Sequence, residues 1–292
     1  MLNVSKEVIR MNLADINTVT ALLKGAGFSF KKSLGQNFLI DDTVCPAMAQ
    51  AACDENTGVI EIGPGVGVLT VELAKVAKRV VAIELDERLK PVLAKTLAPF
   101  NNASVIFGDA MKLDLKKIIE EKFSDVSRGV VCANLPYYIT SPVIMGLLEA
   151  KLPLESIVVM VQKEAAQRLC AKVGSRDAGA VTVAANYYAT GEILFEVDRT
   201  CFVPAPKVDS AVIRLNIRNT PAVKVKSEEQ FFKLVKACFA QRRKTLINTV
   251  SNSLSIEKSK LSDALDTLGL PQTARSEELS MEQLAALCDM VM

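Results

Sequence analysis

The stretch VIEIGPGVGVLT, residues 59–70, joins a short apolar run to a glycine-rich turn and a helix-like segment. The apolar run at 59–62 is typical of a strand that is buried on both faces. Glycines at positions 63, 65 and 67 allow a tight turn and a close approach of the backbone to a ligand. A helix that follows such a turn points its positive end at the ligand. The stretch therefore predicts the first strand, turn and helix of an α/β sheet with a binding site at the turn.

Further apolar runs repeat the pattern at residues 80–83, 104–107, 130–133 and 157–161, with helix-like segments between them. Alternation of this kind predicts parallel strands joined by crossover helices. Two more strands are predicted at 193–197 and 210–217. The segment FVPAPKVD between them is too short for a crossover helix, so this last pair is expected to be antiparallel.

Segments outside the sheet predict three regions along the chain. An amphipathic helix at about 16–25 lies in an N-terminal helical extension, residues 1–30. The sheet domain occupies residues 31–218, and within it Ser141-Pro142 predicts the N-cap and first residue of a helix. A polar segment with Pro221 then predicts a linker, and apolar residues at helical spacing follow it. Residues 219–292 are therefore expected to form a small all-helical C-terminal domain.

Composition excludes several classes of chemistry. The sequence of 292 residues has a net charge of +2. It contains no histidine, and this absence excludes Ser-His-Asp and Cys-His nucleophiles and the commonest metal ligand. Its seven cysteines are scattered and form no CxxC pair, which argues against a disulfide framework and a zinc site. No stretch approaches the roughly 20 apolar residues of a membrane span, and the N-terminus lacks a secretory signal. We expect a cytoplasmic monomer with no metal and no membrane partner.

Acidic residues follow the second and third predicted strands. Glu84 comes 21 residues after Gly63, where an acid can accept hydrogen bonds from both hydroxyls of a ribose. Asp109, in the segment GDA, could accept from the amino group of an adenine. The alternatives are a solvated strand end for Glu84 and a helix N-cap for Asp109. Because such sheets bind ligands at the carboxyl ends of successive strands, a nucleoside-containing cofactor is the favoured interpretation.

The glycine spacing favours S-adenosylmethionine over a dinucleotide. G-x-G-x-G lacks the third glycine of G-x-G-x-x-G and leaves Val68 where helix and strand approach most closely in dinucleotide binders. Glu61 ahead of the turn and the segment GDA point the same way. The predicted fold is a Rossmann-like sheet of the class I S-adenosylmethionine-dependent methyltransferases, with seven strands.

The fourth predicted strand is followed by NLPYYIT, residues 134–140, which has the form of the N/D-P-P-Y/F/W motif of enzymes that methylate exocyclic amines on bases. The Asn134 side-chain oxygen and the Leu135 carbonyl could accept the two hydrogens of an adenine N6 amine. Pro136 fixes the turn, and Tyr137 can stack on a base that has swung out. The alternative is a loop whose tyrosines fill the core. For Tyr138, core packing and substrate contact are equally favoured.

Together these motifs resemble the small-subunit ribosomal RNA adenine dimethyltransferases, bacterial enzymes whose loss confers kasugamycin resistance. The resemblance runs from residue 31 to about 254 and includes KKSLGQNFLID, EIGPGVGVLT, VAIELD, GDA, NLPYYIT, FVPAPKVDSAVIRL and CFAQRRKTLINTV. It implies the transfer of four methyl groups from S-adenosylmethionine to N6 of two adjacent adenosines. These lie in a hairpin loop near the 3′ end of small-subunit rRNA, on an assembling subunit.

The resemblance also implies roles for individual residues. Phe202 matches the aromatic residue that stacks on the second face of the target adenine, although from the residues alone it could equally be core. Asn134 would serve both the methionine end of the cofactor and the target amine. The implied cofactor contacts are Gln36, Asn37, Leu39, Gly63, Gly65, Glu84, Asp109 and Asn134.

Basic residues suggest where the RNA binds. Taken alone, each basic cluster is more often an ordinary solvated face. The resemblance makes AQRRKT, with Arg242, Arg243 and Lys244, an rRNA contact on the first helix of the C-terminal domain. A second series that starts with Lys163 and Arg168 would border the target channel.

Three other functions compete with this interpretation. A macrolide-resistance methyltransferase of large-subunit rRNA shares the glycine loop and an N-x-P-Y motif, but PKVDSAV and QRRKTL argue against it. A non-catalytic ribosome-assembly factor could keep the fold without turnover, but intact Glu84, Asp109, Asn134 and Tyr137 argue against it. A nicotinamide dehydrogenase is a more distant third.

Overall fold

The computed structural model describes residues 11–25, 27 and 38–292. The predicted cofactor contacts Gln36 and Asn37, together with the basic pair Lys31-Lys32, lie outside the described residues. Leu39 is the first predicted cofactor contact along the chain whose position is described.

Seven strands form one mixed sheet, which confirms the predicted fold class. Its strands in chain order are β2 Thr57–Ile62, β3 Arg79–Glu84, β4 Ala103–Phe107, β5 Arg128–Asn134, β6 Ser156–Gln162, β7 Ala189–Val197 and β9 Ser210–Ile217. The spatial order is β4-β3-β2-β5-β6-β9-β7. Strands β2 to β6 pair in parallel, and β9 runs antiparallel to β6. The short strands β1 Phe38–Leu39 and β8 Phe202–Val203 form a separate antiparallel pair.

The parallel strands β2, β3, β5 and β6 are mostly buried, as their β-branched apolar sequences predict, whereas β4 at the edge of the sheet is only partly buried. Every residue of β2 is buried, and so are the five that follow Arg79 in β3. The register pairs Ile62 with Ile83 and Glu84 with Phe107, so the carboxyl ends of neighbouring strands lie at one edge of the sheet. This edge carries the polar residues that the sequence singles out.

Helices lie before, between and after these strands. They are α1 Ile16–Gly25, α2 Val44–Ala52, α3 Val68–Val76, α4 Lys90–Thr96, α5 Leu115–Lys122, α6 Thr140–Glu149, α7 Lys163–Cys170, α8 Ala180–Tyr188, α9 Glu228–Cys238, α10 Leu246–Leu254, α11 Lys258–Thr267 and α12 Met281–Val291. None in the described ranges is long and apolar enough to cross a membrane.

Helix α6 begins earlier than the sequence predicts. Ser141-Pro142 was expected to supply the N-cap and the first helical residue, but the helix starts at Thr140 and its N-cap is Ile139. The Thr140 hydroxyl donates to the Pro136 carbonyl at 3.3 Å, and the Ile139 amide donates to the same oxygen at 3.1 Å. The loop therefore closes onto Pro136, and Ser141 lies inside the first turn.

Packing divides the described residues into two units, one containing those up to residue 166 together with 193–216 and the other containing residues 167–192 and 217–292. The predicted domain boundary at residue 218 stays a prediction. It places residues 167–192 in the sheet domain, whereas packing groups them with the C-terminal helices. Helix α8 groups with the C-terminal helices because its aromatic residues pack on α9. The Tyr187 and Phe231 rings lie 5.4 Å apart, and the Tyr187 hydroxyl donates to Glu228 at 3.4 Å.

Candidate active site

The glycine turn adopts the backbone that its sequence predicts. Gly63 and Gly65 have φ values of 71° and 59°, in the left-handed region that favours glycine. A Cβ atom added at either position would meet nothing within 4 Å, so the restriction comes from the backbone angle. The open space beside these two glycines leaves their backbone accessible to a ligand. Gly67 follows as the N-cap of α3.

Glu84 is buried at the end of β3 and faces the glycine turn. Its carboxylate accepts from the Gly65 amide at 3.1 Å and from the Asp86 amide at 2.9 Å. Burial raises the pKa of Glu84, and these two amides offset part of the rise. Only 7% of the residue is exposed, so the alternative of a solvated strand end is wrong.

Asp109 lies at the end of β4, next to the Glu84 strand. The Gly108 amide donates to the Glu84 carbonyl at 2.8 Å, which fixes the adjacent chain ends. The Asp109 carboxylate accepts from the Met111 amide at 3.0 Å and lies 3.6 Å from the Lys112 ammonium. It therefore closes a local turn. The alternative of a helix N-cap is wrong, because the next helix begins at Leu115 and its N-cap is Asp114. The Asp109 side chain remains 35% exposed.

The loop after β5 places Asn134 to Tyr137 at the same edge. Leu135 is buried, whereas Asn134 and Tyr137 are half-buried. The Tyr137 hydroxyl lies 2.7 Å from the Ser210 hydroxyl, within hydrogen-bond distance. Tyr138 is 74% exposed, so core packing of this residue is excluded.

A two-stranded ladder brings Leu39 beside Phe202. Strand β1 pairs with β8 so that Leu39 lies opposite Phe202, and the Ile40 amide donates to the Cys201 carbonyl at 2.8 Å. Both Leu39 and Phe202 are buried. The ladder therefore joins a residue near the start of the chain to one 163 positions later, at the wall of a single cavity.

This cavity has a volume of about 270 Å³. Its wall includes the predicted site residues Leu39, Gly63, Gly65, Glu84, Asn134, Leu135, Pro136, Tyr137 and Phe202. Asp109 and the basic residues predicted to bind RNA are not among its lining residues in the part of the chain that the structure describes.

Three carboxylates line the cavity, and no lysine or arginine of the described chain does. Besides Glu84 they are Glu61 and Asp86. Glu61 is 1% exposed, and its Oε2 has no hydrogen-bond partner among the described residues. A buried acceptor without a partner costs free energy, so the wall is suited to a ligand that brings a cation or donors. Asp86 was missed by the sequence analysis, although it lies in the quoted segment VAIELD.

Burial raises the pKa of Glu61 to about 8. The nearby Thr70 hydroxyl lowers the pKa of Glu61 in part, although the two groups do not have the geometry of a hydrogen bond. The negative charge of Glu84 raises the pKa of Glu61 further. A cationic group of a bound ligand would favour the ionised form of Glu61.

The basic residues predicted to bind RNA fall into different surroundings. Lys163 donates to Glu196 at 2.7 Å, so this ion pair offsets its charge locally. Arg168 is exposed. In the unit that contains the C-terminal helices, Arg242 donates to the Arg176 carbonyl at 2.8 Å, which joins two basic segments.

Arg242, Arg243 and Lys244 were expected on a helix, and that expectation is wrong. Helix α9 ends at Cys238 and α10 starts at Leu246, so the three residues lie in the turn between them. The Lys244 amide donates to the Gln241 carbonyl at 3.0 Å and closes the turn. All three side chains are exposed, as a surface contact requires.

A family model for ribosomal RNA adenine dimethylase matches residues 27–291, nearly the whole chain. The chain belongs to the ribosomal RNA adenine dimethylase family. Membership of this family confirms the predicted enzyme class, a methyltransferase of adenine in rRNA, and S-adenosylmethionine as the cofactor.

Curated relatives of this dimethylase are named Ribosomal RNA small subunit methyltransferase A. The protein from Geobacillus thermodenitrificans is 50% identical over 275 residues, which cover 93% of this chain and 94% of the relative. The protein from Bacillus pumilus is 48% identical over 274 residues, which cover 92% and 94%.

Two solved structures share the dimethylase fold. A dimethyladenosine transferase from Plasmodium falciparum has a TM-score of 0.68 at 28% identity, with 85% of this chain and 94% of that chain covered. The 23S rRNA methyltransferase ErmE has a TM-score of 0.65 at 28% identity, with 87% and 99% covered. Because both are similar in fold, fold alone does not distinguish the two classes of rRNA enzyme.

The raised pKa of Glu61 predicts how stability depends on pH. Between the ordinary carboxyl value of 4.5 and about 8, the folded dimethylase holds a proton that the unfolded chain has lost. The free energy of unfolding of the ligand-free protein should therefore fall as pH rises through this window, by about 3–5 kcal/mol in total. Urea titrations at pH 5, 6, 7 and 8 measure it.

Glu61→Gln is the control, because it removes the titrating group and keeps the shape. The variant should be more stable than the native protein at pH 8 and should show a flatter pH profile. The sequence contains no histidine, so no imidazole complicates this range. A native profile as flat as that of the variant would contradict the assignment of a buried, neutral Glu61.

Proposed function

We propose that the protein transfers methyl groups from S-adenosylmethionine to N6 of two adjacent adenosines in the 3′-terminal hairpin loop of small-subunit rRNA. The observation that carries this proposal is the position of the Asn134–Tyr137 loop. It lies on the wall of a cavity that also contains the glycine turn, Glu84 and Phe202. A binding site for a nucleoside cofactor and a site for an exocyclic amine are thereby next to each other.

The cavity suits the cofactor on chemical grounds. When bound, S-adenosylmethionine supplies an electrophilic methyl group on a positively charged sulfur. The carboxylates of Glu61, Glu84 and Asp86 complement a ligand that carries sulfonium and ammonium charges. Glu84 can accept hydrogen bonds from ribose hydroxyls, since each of its oxygens has a second lone pair. Glu61 Oε2 offers an acceptor for a donor on the ligand.

The adenine end of the cofactor would extend toward Asp109. The half-exposed Asp109 carboxylate lies on the chain end that follows β4, directly beside the Glu84 strand. One of its lone pairs is used by the Met111 amide, and the others can accept from an adenine amino group. Leu39 belongs to the wall of the same cavity.

Asn134 and Leu135 activate the target amine. The lone pair of an adenine N6 amine is delocalised into the ring, which makes the nitrogen a poor nucleophile. The Asn134 side-chain oxygen and the Leu135 carbonyl would accept its two hydrogens and favour the pyramidal form. After transfer the methylated nitrogen is strongly acidic and loses its proton to water or to Asn134. No separate general base is required, which accords with a chain that lacks histidine.

Two aromatic residues hold the target base. Tyr137 and Phe202 come from different elements and line the same cavity. Stacking of a flipped base on an aromatic ring stabilises the bound state by about 1–3 kcal/mol. The base that enters is neutral, so the acidic wall repels the RNA phosphates without excluding the adenine.

The proposed partner is the small ribosomal subunit. The protein is proposed to bind it as a monomer in the cytoplasm. The curated relatives that are about half identical to this chain carry a small-subunit name. The 23S rRNA enzyme is only 28% identical. The exposed turn with Arg242, Arg243 and Lys244 supplies cations for rRNA phosphates. Arg168 is a further exposed cation, and the charge of Lys163 is offset by its ion pair with Glu196.

Methyl transfer to isolated ribosomal subunits tests the proposed function. Labelled S-adenosylmethionine and undermethylated small subunits should give N6-dimethyladenosine at two adjacent positions. Large subunits in parallel should remain unlabelled. Asn134→Ala should lower the rate at least 100-fold, because one acceptor of the amine hydrogens is lost. Label on large subunits alone would contradict the proposal. So would tight binding to small subunits without any transfer.

Salt dependence tests the basic turn. Replacement of Arg242 and Arg243 by alanine should weaken binding to small subunits and lower the slope of log K against log salt by about 1–2, because two phosphate contacts are lost. The control is Lys116→Ala with Lys117→Ala, which removes the same charge from exposed positions on α5. An unchanged slope in the arginine variant would identify the turn as an ordinary solvated surface.

A further inference from the structure

Tyr137 is held by a contact that the proposed chemistry does not itself require. Its phenolic oxygen lies 2.7 Å from the Ser210 hydroxyl, although the two residues are 73 positions apart. Stacking on a base uses the face of the ring and needs no hydroxyl group. The contact therefore acts on the ring's orientation.

Ser210 is well suited to act as an anchor. It is completely buried and is the first residue of β9. The β6–β9 ladder pairs it with Gln162, and next to it the Lys163 amide donates to the Asp209 carbonyl at 3.0 Å. The backbone at Ser210 is thus tied to the end of β6, and because the side chain is completely buried it has little freedom to move.

Tyr137, by contrast, belongs to a loop. The carbonyl of the preceding Pro136 accepts from Ile139 and Thr140, which fixes the backbone of the loop but not the torsions of the Tyr137 side chain. The ring is half-buried at the cavity wall. The neighbouring Tyr138 is 74% exposed, and within the described residues its hydroxyl has no comparable anchor.

We propose that Ser210 is a positioning residue, which holds the Tyr137 ring in the orientation that receives the target base. The proposal rests on the proposed function, since it assigns the ring to the adenine. The hydrogen bond joins a loop residue to the rigid sheet and removes rotational freedom of the ring before the base arrives. Binding of the flipped base then costs less conformational entropy of the Tyr137 side chain, because the ring already has the bound orientation.

The proposal predicts a specific pattern of rates. Ser210→Ala should lower the single-turnover rate of methyl transfer to small subunits by about 5- to 20-fold. The dissociation constant for S-adenosylmethionine should change less than twofold, because Ser210 does not line the cavity. Tyr137→Phe removes the same bond from the other side and should have a similar effect.

The double variant distinguishes positioning from a general structural role. If Ser210 acts only through the Tyr137 hydroxyl, Ser210→Ala combined with Tyr137→Phe should be no slower than either single variant. Multiplied effects, or a native rate in Ser210→Ala, would overturn the proposal. The matched control is Ser156→Ala, which removes a buried hydroxyl from the other end of the same ladder and should stay within twofold of the native rate.

Ring order in the unliganded protein gives a readout that does not depend on the RNA substrate. The chain has four tyrosines and no tryptophan, so relaxation of ¹³C-labelled tyrosine rings can be assigned residue by residue. In Ser210→Ala the order parameter of the Tyr137 ring should fall toward that of Tyr138. An unchanged order parameter would overturn the proposal even if methyl transfer occurs. If the order parameter falls but the native protein methylates no small subunit, Ser210 still anchors Tyr137, and only the proposed substrate is refuted.

Discussion

The hydrogen bond between the Gly65 amide and the Glu84 carboxylate is the contact on which the site depends. It ties the glycine turn after β2 to the acid that ends β3, at 3.1 Å. The carboxylate is kept buried, and burial raises its pKa, so the two backbone amides that face it are needed to stabilise the charged form. Gly65 also has a positive φ of 59°, a backbone conformation that favours glycine. The turn and the acid thereby form one binding surface.

Parallel strand register extends this surface to the substrate. Because β2 to β6 pair in parallel, their carboxyl ends meet at one edge, and the loop after β5 lies beside the glycine turn. The cavity wall consequently carries two chemically different groups of residues. Carboxylates of Glu61, Glu84 and Asp86 suit a cationic cofactor, and the aromatic rings of Tyr137 and Phe202 suit a neutral base. In the proposed function, methyl donor and acceptor meet at Asn134, which lines the same cavity.

Local patterns were sufficient to predict the seven strands of the sheet, the glycine turn, Glu84 and the Asn134–Tyr137 loop of the cavity wall, whereas Leu39 and Phe202 were assigned only through the family resemblance. Each of the locally predicted features is encoded within a few residues, as in the apolar run and three glycines at 59–67. Features that depend on distant partners were missed or misplaced. Arg242 was expected on a helix but lies in a turn. Its bond to the Arg176 carbonyl depends on the packing of the C-terminal unit, which local sequence does not reveal. The anchoring of Tyr137 by Ser210 and the pairing of Leu39 with Phe202 likewise join segments far apart in sequence.

Calorimetric titration of S-adenosylmethionine into the native protein and into Glu84→Gln tests the account most directly. Glu84 is proposed to join the glycine turn to the ribose of the cofactor. Glutamine fills the same space but carries no charge and offers one acceptor oxygen instead of two. The native protein should bind one equivalent, and the variant should bind at least tenfold more weakly, a difference of about 1.4 kcal/mol or more. Equal affinity in a folded Glu84→Gln variant would contradict the claim and place the cofactor elsewhere on the sheet edge.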